Sequence, residues 1–307
     1  MPITLAVMAM ATRFELVLDG LAEPTLRAAG EEAIAEIEMA DQRLSLFRRD
    51  SLLAHLQRTA HLGPVRLDAD VLGLFAVAKA VHGASGGAFD PTIGPLMRAW
   101  GLRGEPADES AARAAQACVG FDHVIIDPAA GTVRFTRPDL ELDLGGIAKG
   151  FALDLATRSL RTHGVRSALL HGGTSSISAI GAPPNAPGWK IGLGDLGGSV
   201  TLNSASMSVS ASRRWRAEHA DSPPIHIIDP RAGRPVEART AASRACVVVA
   251  HHDPWSATRA EAWSTAFIVS GGLPPGDTGP EGLAAWRVAT NSGSARSGPP
   301  GESLFFR

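Results

Sequence analysis

The chain has 307 residues, 45% of them hydrophobic and 20% charged, with a formal net charge of −2. That is enough apolar chain for a sizeable core in one large or two intimate domains. The charge balance excludes a general affinity for nucleic acid or acidic membranes, and no apolar run reaches the roughly 20 residues that a bilayer span needs.

Met1 to Met10 is apolar but lacks a basic leader segment, so it reads as structure and not as a signal. Met10-Ala11-Thr12-Arg13-Phe14 leads a first strand. Pro24 to Phe47 reads as a helix, with Ile34, Ile37 and Leu44 at helical spacing. Asp50 or Ser51 caps a short helix through Leu56. Asp68 or Asp70 opens another, with Val71, Leu74, Phe75, Ala78 and Val81 on one face, ending in Gly83-Ala84-Ser85-Gly86-Gly87. Two prolines and two glycines within Gly87 to Leu96 fix a specific loop. Glu109 to Val119 is an alanine-rich helix. His123–Ile126 and Thr132–Phe135 flank a hairpin turn at Asp127-Pro128-Ala129-Ala130-Gly131.

The stretch Leu142-Asp143-Leu144-Gly145-Gly146-Ile147-Ala148-Lys149-Gly150 follows, leading into a helix to about Thr162 with Gly164 just past its end. Beyond it the chain is mostly strands, at Ser167–His171, Ile177–Ile180, Lys190–Leu193, Ser199–Leu202, Ile225–Ile228, Ala245–His251 and Ala284–Val288. One late helix lies between the last two, with Asp253 as N-cap, Pro254 at its first position and Gly271-Gly272 at its end. Residues 291–307 are Gly-, Ser- and Pro-rich and predict a loosely ordered tail. Cys118 and Cys246 lack metal or redox spacing and suit a reducing, cytoplasmic compartment.

Several residues could carry chemistry. At a strand–turn–helix junction, Asp143 can accept from a ribose or ring N–H and Lys149 can neutralise a phosphate, with backbone N–H groups nearby. Equally, Asp143 can cap the helix and Lys149 can be solvated. Glu261 and Thr265 are four apart on the late helix and project from one face, a half-site for a hard cation such as Mg²⁺. The plainer alternative is an exposed Glu and a Thr bonded back to its own helix. His226, on a strand ending in Asp229-Pro230, is either a buried structural histidine or a general base. His251-His252-Asp253 is discounted as a metal site, because neighbours on a strand face opposite ways. Tyrosine is absent, so ring stacking falls to Phe or Trp; Phe47 and Phe89, beside loops, either stack on a ligand or join the core.

Taken in order, these motifs resemble the ApbE family of FAD:protein FMN transferases. Met10-Ala11-Thr12-Arg13-Phe14 is similar to its Met-Gly-Thr-x-Phe. Gly87 to Leu96 with Trp100-Gly101 matches its Gly-x-Phe-Asp-Pro-Thr-x-Gly-Pro-Leu…Trp-Gly, and Asp143 to Gly150 keeps its Asp-Leu-Gly-Gly-Ile-Ala-Lys-Gly, with Phe151-Ala152-Leu153-Asp154 following. Gly172-Gly173 resembles its Gly-Gly after a strand. His226…Asp229-Pro230-Arg231…Gly233…Pro235 resembles its His-x-x-Asp-Pro-x-x-Gly-x-Pro, and Ala260 to Ala266 its Ala-Asp-Ala-x-x-Thr-Ala. Departures are Glu261 for the family's Asp, Phe47 for a Tyr or Trp, Gln57 and His171 for Asn, and Ser210-Ala211-Ser212 for Thr-Ser-Gly.

The resemblance implies an α+β fold of mixed and antiparallel sheets with packed helices, T-fold-like, with residues 1–290 as one catalytic unit of two intimate lobes. It implies Mg²⁺-dependent transfer of FMN from FAD to a Thr or Ser of a target flavoprotein domain, with release of AMP. Met10, Phe47, Ala88, Phe89, Asp90, Asp143, Lys149 and Ile228 would line the FAD site; Lys149 would also serve the reaction. The Gly146 carbonyl, Glu261 and Thr265 would hold the ion, and His226 would act on the acceptor hydroxyl. Two alternatives use the same residues: hydrolysis of FAD to FMN and AMP, and FAD binding without catalysis.

Overall fold

In this computed structural model, residues 1–104, 106–211, 227–236, 242–272, 283–290 and 295–297 are described. The chain begins with a hairpin of β1 (Ile3–Ala9) and β2 (Thr12–Asp19), then α1 (Glu23–Leu44) and α2 (Leu52–Thr59). Next come β3 (Val65–Arg66), α3 (Ala69–Ala84), α4 (Gly94–Ala99) and α5 (Glu109–Gln116). The hairpin β4 (Val124–Asp127) and β5 (Thr132–Phe135) precedes α6 (Ala148–Thr162). Strands β6 (Ser167–Gly172), β7 (Ser176–Ile180), β8 (Trp189–Gly192), β9 (Ser199–Leu202) and β10 (Ala205–Ala211) follow. The short pair β11 (Ile228–Asp229) and β12 (Arg234–Pro235) leads to β13 (Ala242–Ala250), α7 (Ser256–Ser270), β14 (Ala285–Thr290) and β15 (Ala295–Ser297).

The main sheet is antiparallel, in the order β1-β2-β6-β7-β10-β13-β14-β15. Strand alternation gives it two buried faces. Phe14, Leu16, Leu18, Ala168, Leu170, Val247 and Val249 belong to the large core that also holds residues of α1, α6 and α7. Ala179, Met207, Cys246 and Val248 face the other way, into a smaller core with Val200 and Leu202 of β9. The mixed helices and antiparallel sheets are the expected α+β class. Among the described residues no helix is long and apolar enough to cross a membrane.

The helix signals act largely where the residues suggest. Ser51 caps α2 through Ala54 N, and Asp68 caps α3 through Asp70 N and Val71 N. Gly164 and Gly271 take the left-handed conformation that ends α6 and α7. Two expectations are corrected. Asp253 does not cap the late helix: α7 starts at Ser256, while Asp253 accepts from Trp255 N at 2.8 Å and pairs with Arg259. Its capping position is taken by Asp154 of α6, which accepts from Ala257 N at 2.9 Å and from Thr258 N and Oγ1 at 2.8 and 2.6 Å. Within the expected loose tail, Ala295–Ser297 pair with β14 as an edge strand, because the β14 backbone offers a free ladder edge there.

A polar seam runs between β7 and β10 and the two helices beneath them. Thr157 bonds Ser178 at 2.8 Å, Ser206 bonds Ser256 at 2.9 Å, and Ser264 bonds Ser208 and Ser210 at 3.1 and 2.7 Å. His251 joins it. Arg161 can only donate, so its 2.5 Å contact makes His251 Nδ1 the acceptor and leaves Nε2–H for Ser206 and Ser178. Burial, with Arg161 adding to it, lowers the His251 imidazole from 6.5 to about 3. Burial pushes the Asp154 carboxyl the other way, from 3.8 up to about 7, against the pull of its Thr258 and Ala257 donors.

The signs oppose. Below 6.5 the unfolded chain protonates His251 while the folded chain does not, so stability is lost as pH falls toward about 3. Asp154 costs stability as pH rises from 3.8 to about 7. A His251→Gln protein keeps the second slope and loses the first. Urea unfolding should show its stability gaining on the parent by about 2 kcal/mol between roughly pH 7 and pH 5. Parallel pH profiles for the two proteins would refute the assignment.

Candidate functional site

The Leu142–Gly150 turn is held by the loop at residues 90–94. Asp143 N donates to Pro91 O at 2.7 Å, Gly94 N donates to Glu141 O at 3.2 Å, and Ile93 forms an isolated parallel bridge with Glu141. Gln57 Oε1 accepts from Leu142 N at 3.1 Å. The segment before the turn is therefore extended but not a strand of any sheet, since its backbone bonds go to a loop and a side chain. Leu142, Leu144 and Ile147 are buried and anchor it.

Asp143 does not cap α6. Its Oδ1 accepts from Gly145 N at 2.8 Å, closing a local turn, and its Oδ2 pairs with Arg103 at 2.8 Å. The N-cap position of α6 is Ile147, which offers no side-chain bond. The helix receives its acceptor from α7 instead. Glu261 is 3% exposed, and its Oε2 takes the Gly150 N–H at 2.6 Å. Its Oε1 pairs with Lys149 and accepts from Ser176 at 3.3 Å. Glu261 is thus neither an exposed carboxylate nor a free one. Lys149, expected to face a phosphate, has its ammonium on Glu261.

Gly146 lies against the same helix. A Cβ built there would sit 3.3 Å from Thr265 Oγ1 and 3.4 Å from the Phe89 ring. Thr265 Oγ1 also donates to Glu261 O at 3.2 Å, the back-bonding alternative. The fold therefore brings Gly146, Lys149, Glu261, Thr265 and Phe89 to one point. Ala88 and Phe89 are both buried beside it.

Other expected residues do different work. Asp90 is buried, accepting within its own loop from Thr92 N and Oγ1 at 2.8 and 2.6 Å and, across the chain, from Phe121 N at 3.1 Å. His82 Nδ1 lies 3.4 Å from its other oxygen. That carboxylate shapes the Asp-Pro-Thr turn. Met10 holds a left-handed turn at φ 50° between β1 and β2, and its N–H is taken by Asp41 at 3.0 Å. Phe47 is 88% exposed after α1, so it is not core. Ile228 is buried in β11. His226 lies outside the described residues.

Arg103, Ser176 and Asp154 were not singled out by sequence reasoning. Arg103 sits in a glycine-flanked loop with no local pattern, and Ser176 and Asp154 act only across tertiary contacts. Among the described residues no group of three or more His, Cys, Asp or Glu could hold a metal. The oxygens that Glu261 and Thr265 bring to the α6–α7 contact are a carboxylate bound to Lys149, Gly150 N and Ser176 and a hydroxyl bonded back to Glu261 O, with Gly146 packed against Thr265. That donor set fits a hard divalent cation whose shell is completed by water and phosphate, and not a soft one.

Residues 10–274 match the ApbE family. A Klebsiella pneumoniae (strain 342) protein named FAD:protein FMN transferase is 31% identical over 222 residues, covering 67% of this chain and 68% of its own. A Salmonella typhimurium protein of the same name is 26% identical over 253 residues, covering 77% and 69%. The apo structure of Pseudomonas stutzeri flavinyl transferase ApbE superposes with a TM-score of 0.77 at 25% identity, covering 99% of this chain and 96% of its own. The Thermotoga maritima ApbE protein shares the fold, with a TM-score of 0.79 at 22% identity over 99% and 98%. With the family match spanning most of its length, this chain belongs to the ApbE family.

Proposed function

We propose that the protein is an FAD:protein FMN transferase that moves FMN from FAD to a Thr or Ser hydroxyl of a flavoprotein domain. The observation that carries this is the meeting of Gly146, Thr265 and Phe89 with the Lys149–Glu261 pair in a chain whose relatives bear that name. In the reaction, the acceptor oxygen bonds to the FMN phosphorus, the pyrophosphate P–O bond breaks, and AMP leaves with the electron pair. The hydroxyl proton goes to a base, for which His226 is the candidate.

Such attack on a pyrophosphate is chiefly a matter of positioning and charge stabilisation. Glu261, Thr265 and the Gly146 carbonyl would hold Mg²⁺, which when bound neutralises phosphate oxygens as a Lewis acid. Lys149 supplies a cation at the start of α6, where the helix dipole also favours phosphate. Asp143, whose orientation is fixed by Gly145 and Arg103, would face the nucleotide. Asp90 would act on the nucleotide site through His82, which lies 3.4 Å from its carboxylate and 3.0 Å from Phe89 O. Phe47 offers an exposed ring for the isoalloxazine. Cys118 and Cys246 form no disulfide, which suits the cytoplasmic setting that we propose.

The test is to incubate the protein with FAD, Mg²⁺ and a purified flavoprotein domain and to follow intact mass and AMP. Transfer yields an FMN ester on the domain and one AMP for each ester. AMP and FMN without an ester would make the protein a hydrolase. Tight FAD binding with neither product would make it a carrier.

A further inference from the structure

The two site-bearing helices cap each other. Glu261 of α7 accepts the Gly150 N–H in the first turn of α6 at 2.6 Å. Asp154 of α6 accepts the Ala257 and Thr258 N–H groups in the first turn of α7 at 2.9 and 2.8 Å. Neither helix has a side-chain cap at its own N-cap residue, Ile147 or Trp255. Asp154 is 4% exposed and also takes the Thr258 hydroxyl at 2.6 Å and, more weakly, the Ser256 hydroxyl at 3.4 Å. Its two oxygens thus meet four donors, all from one turn of α7.

The contact is close because Gly150 has no side chain. A Cβ there would lie 2.6 Å from Ala257 C and 2.7 Å from Thr258 N. Trp255 adds a lateral constraint, with its ring 5.6 Å from that of Phe151 at an interplanar angle of 14° and with Arg158 5.2 Å above it. Phe151, Asp154 and Arg158 all belong to α6. The first turn of α7 is therefore seated on α6 by one surface, and Glu261 and Thr265 lie one and two turns further along the same rigid helix.

We infer that Asp154 is a positioning residue for the proposed transfer: by holding the start of α7 on α6 it sets where Glu261 and Thr265 stand opposite the Gly146 turn. It touches no reacting atom. In its ionised form the carboxylate accepts every bond, in a direction an amide cannot copy, since the NH₂ of an asparagine would face donors of the first turn of α7. The effect on the cation is indirect, through the donors it places.

The activity arm rests on the transferase reading; the binding arm does not. Asp154→Asn and Thr258→Val proteins are compared with the parent by thermal melts across a MgCl₂ titration, with and without FAD, and by FMN transfer. For Asp154→Asn we expect the Mg²⁺ midpoint to rise by about tenfold or more and kcat to fall by a similar factor, within the range known for residues that orient metal ligands. KM for FAD should stay within roughly threefold, since the proposed nucleotide contacts lie on the Gly146 side. Thr258→Val removes one bond and should move the midpoint the same way by about threefold.

If Asp154→Asn does not fold, the Thr258→Val midpoint decides. An unchanged Mg²⁺ midpoint, or kcat and KM falling together with the melting temperature alone, would overturn the inference. If the parent transfers no FMN but its Mg²⁺ midpoint still depends on Asp154, the transferase reading fails and the positioning role stands.

Discussion

Glu261→Ala is expected to lower both stability and transfer sharply. The substitution strips the carboxylate from a buried pair, leaving the Lys149 ammonium and the Gly150 N–H without their acceptor. Removing one partner of a buried pair costs about 3 kcal/mol or more. The lower end applies because Lys149 keeps 21% of its side chain in contact with water. Loss of the cap on α6 adds roughly 1 kcal/mol. Transfer should fall by roughly 10²–10³-fold, the effect of deleting an electrostatic element that faces developing charge. Glu261→Asp separates the two roles. It keeps the charge beside Lys149 but is a methylene too short for the 2.6 Å bond to Gly150 N. Urea unfolding and FMN transfer by mass spectrometry read both effects, and parental rates from Glu261→Ala would remove the residue from the site.

Gly150→Ala tests the helix contact itself. In an isolated helix alanine is worth about 1 kcal/mol more than glycine. Here the new Cβ would meet the α7 backbone at Ala257 and Thr258, atoms that cannot rotate away. Overpacking of this kind costs about 3 kcal/mol. The clash therefore outweighs the propensity, and a net loss of roughly 2 kcal/mol should appear as a melting temperature lower by about 5 °C. A more stable Gly150→Ala protein would mean that α6 and α7 stand further apart than described.

Most of what positions the site could be read from the sequence where the cause is local. Ser51, Asp68, Gly164 and Gly271 sit at helix ends because their chemistry is decided within a turn of chain. Strand β10 escaped notice for a physical reason. Its positions facing the helices are Ser206, Ser208 and Ser210, which bond to other hydroxyls and to His251, while Met207 faces the smaller core. A polar face that is nonetheless buried reads as a loop. The Asp253 expectation failed for a related reason: a local cap was available, but a carboxylate from a helix a hundred residues earlier took its place.

The same limit applies at the site. The pairing of Gly146 with Thr265 followed from the family resemblance, because spacing alone says nothing about segments so far apart. The partner of Lys149 was not foreseen. An ammonium near glycines suggests phosphate from local chemistry, whereas its contact with Glu261 depends on where α7 lands. Arg103 and Ser176 belong to the same class, each acting across at least 40 residues of chain.

The reciprocal capping also bears on the time at which the protein becomes competent. Gly150 waits for an acceptor 111 residues downstream, and Ala257 is served by one 103 residues upstream. A growing chain carries the whole Gly146 turn long before Ser256 exists, and in that interval the start of α6 has no side-chain acceptor from α7. Contacts this distant in sequence form late, after loop closure has been achieved. The proposed nucleotide site is therefore complete only once α7 has docked on α6.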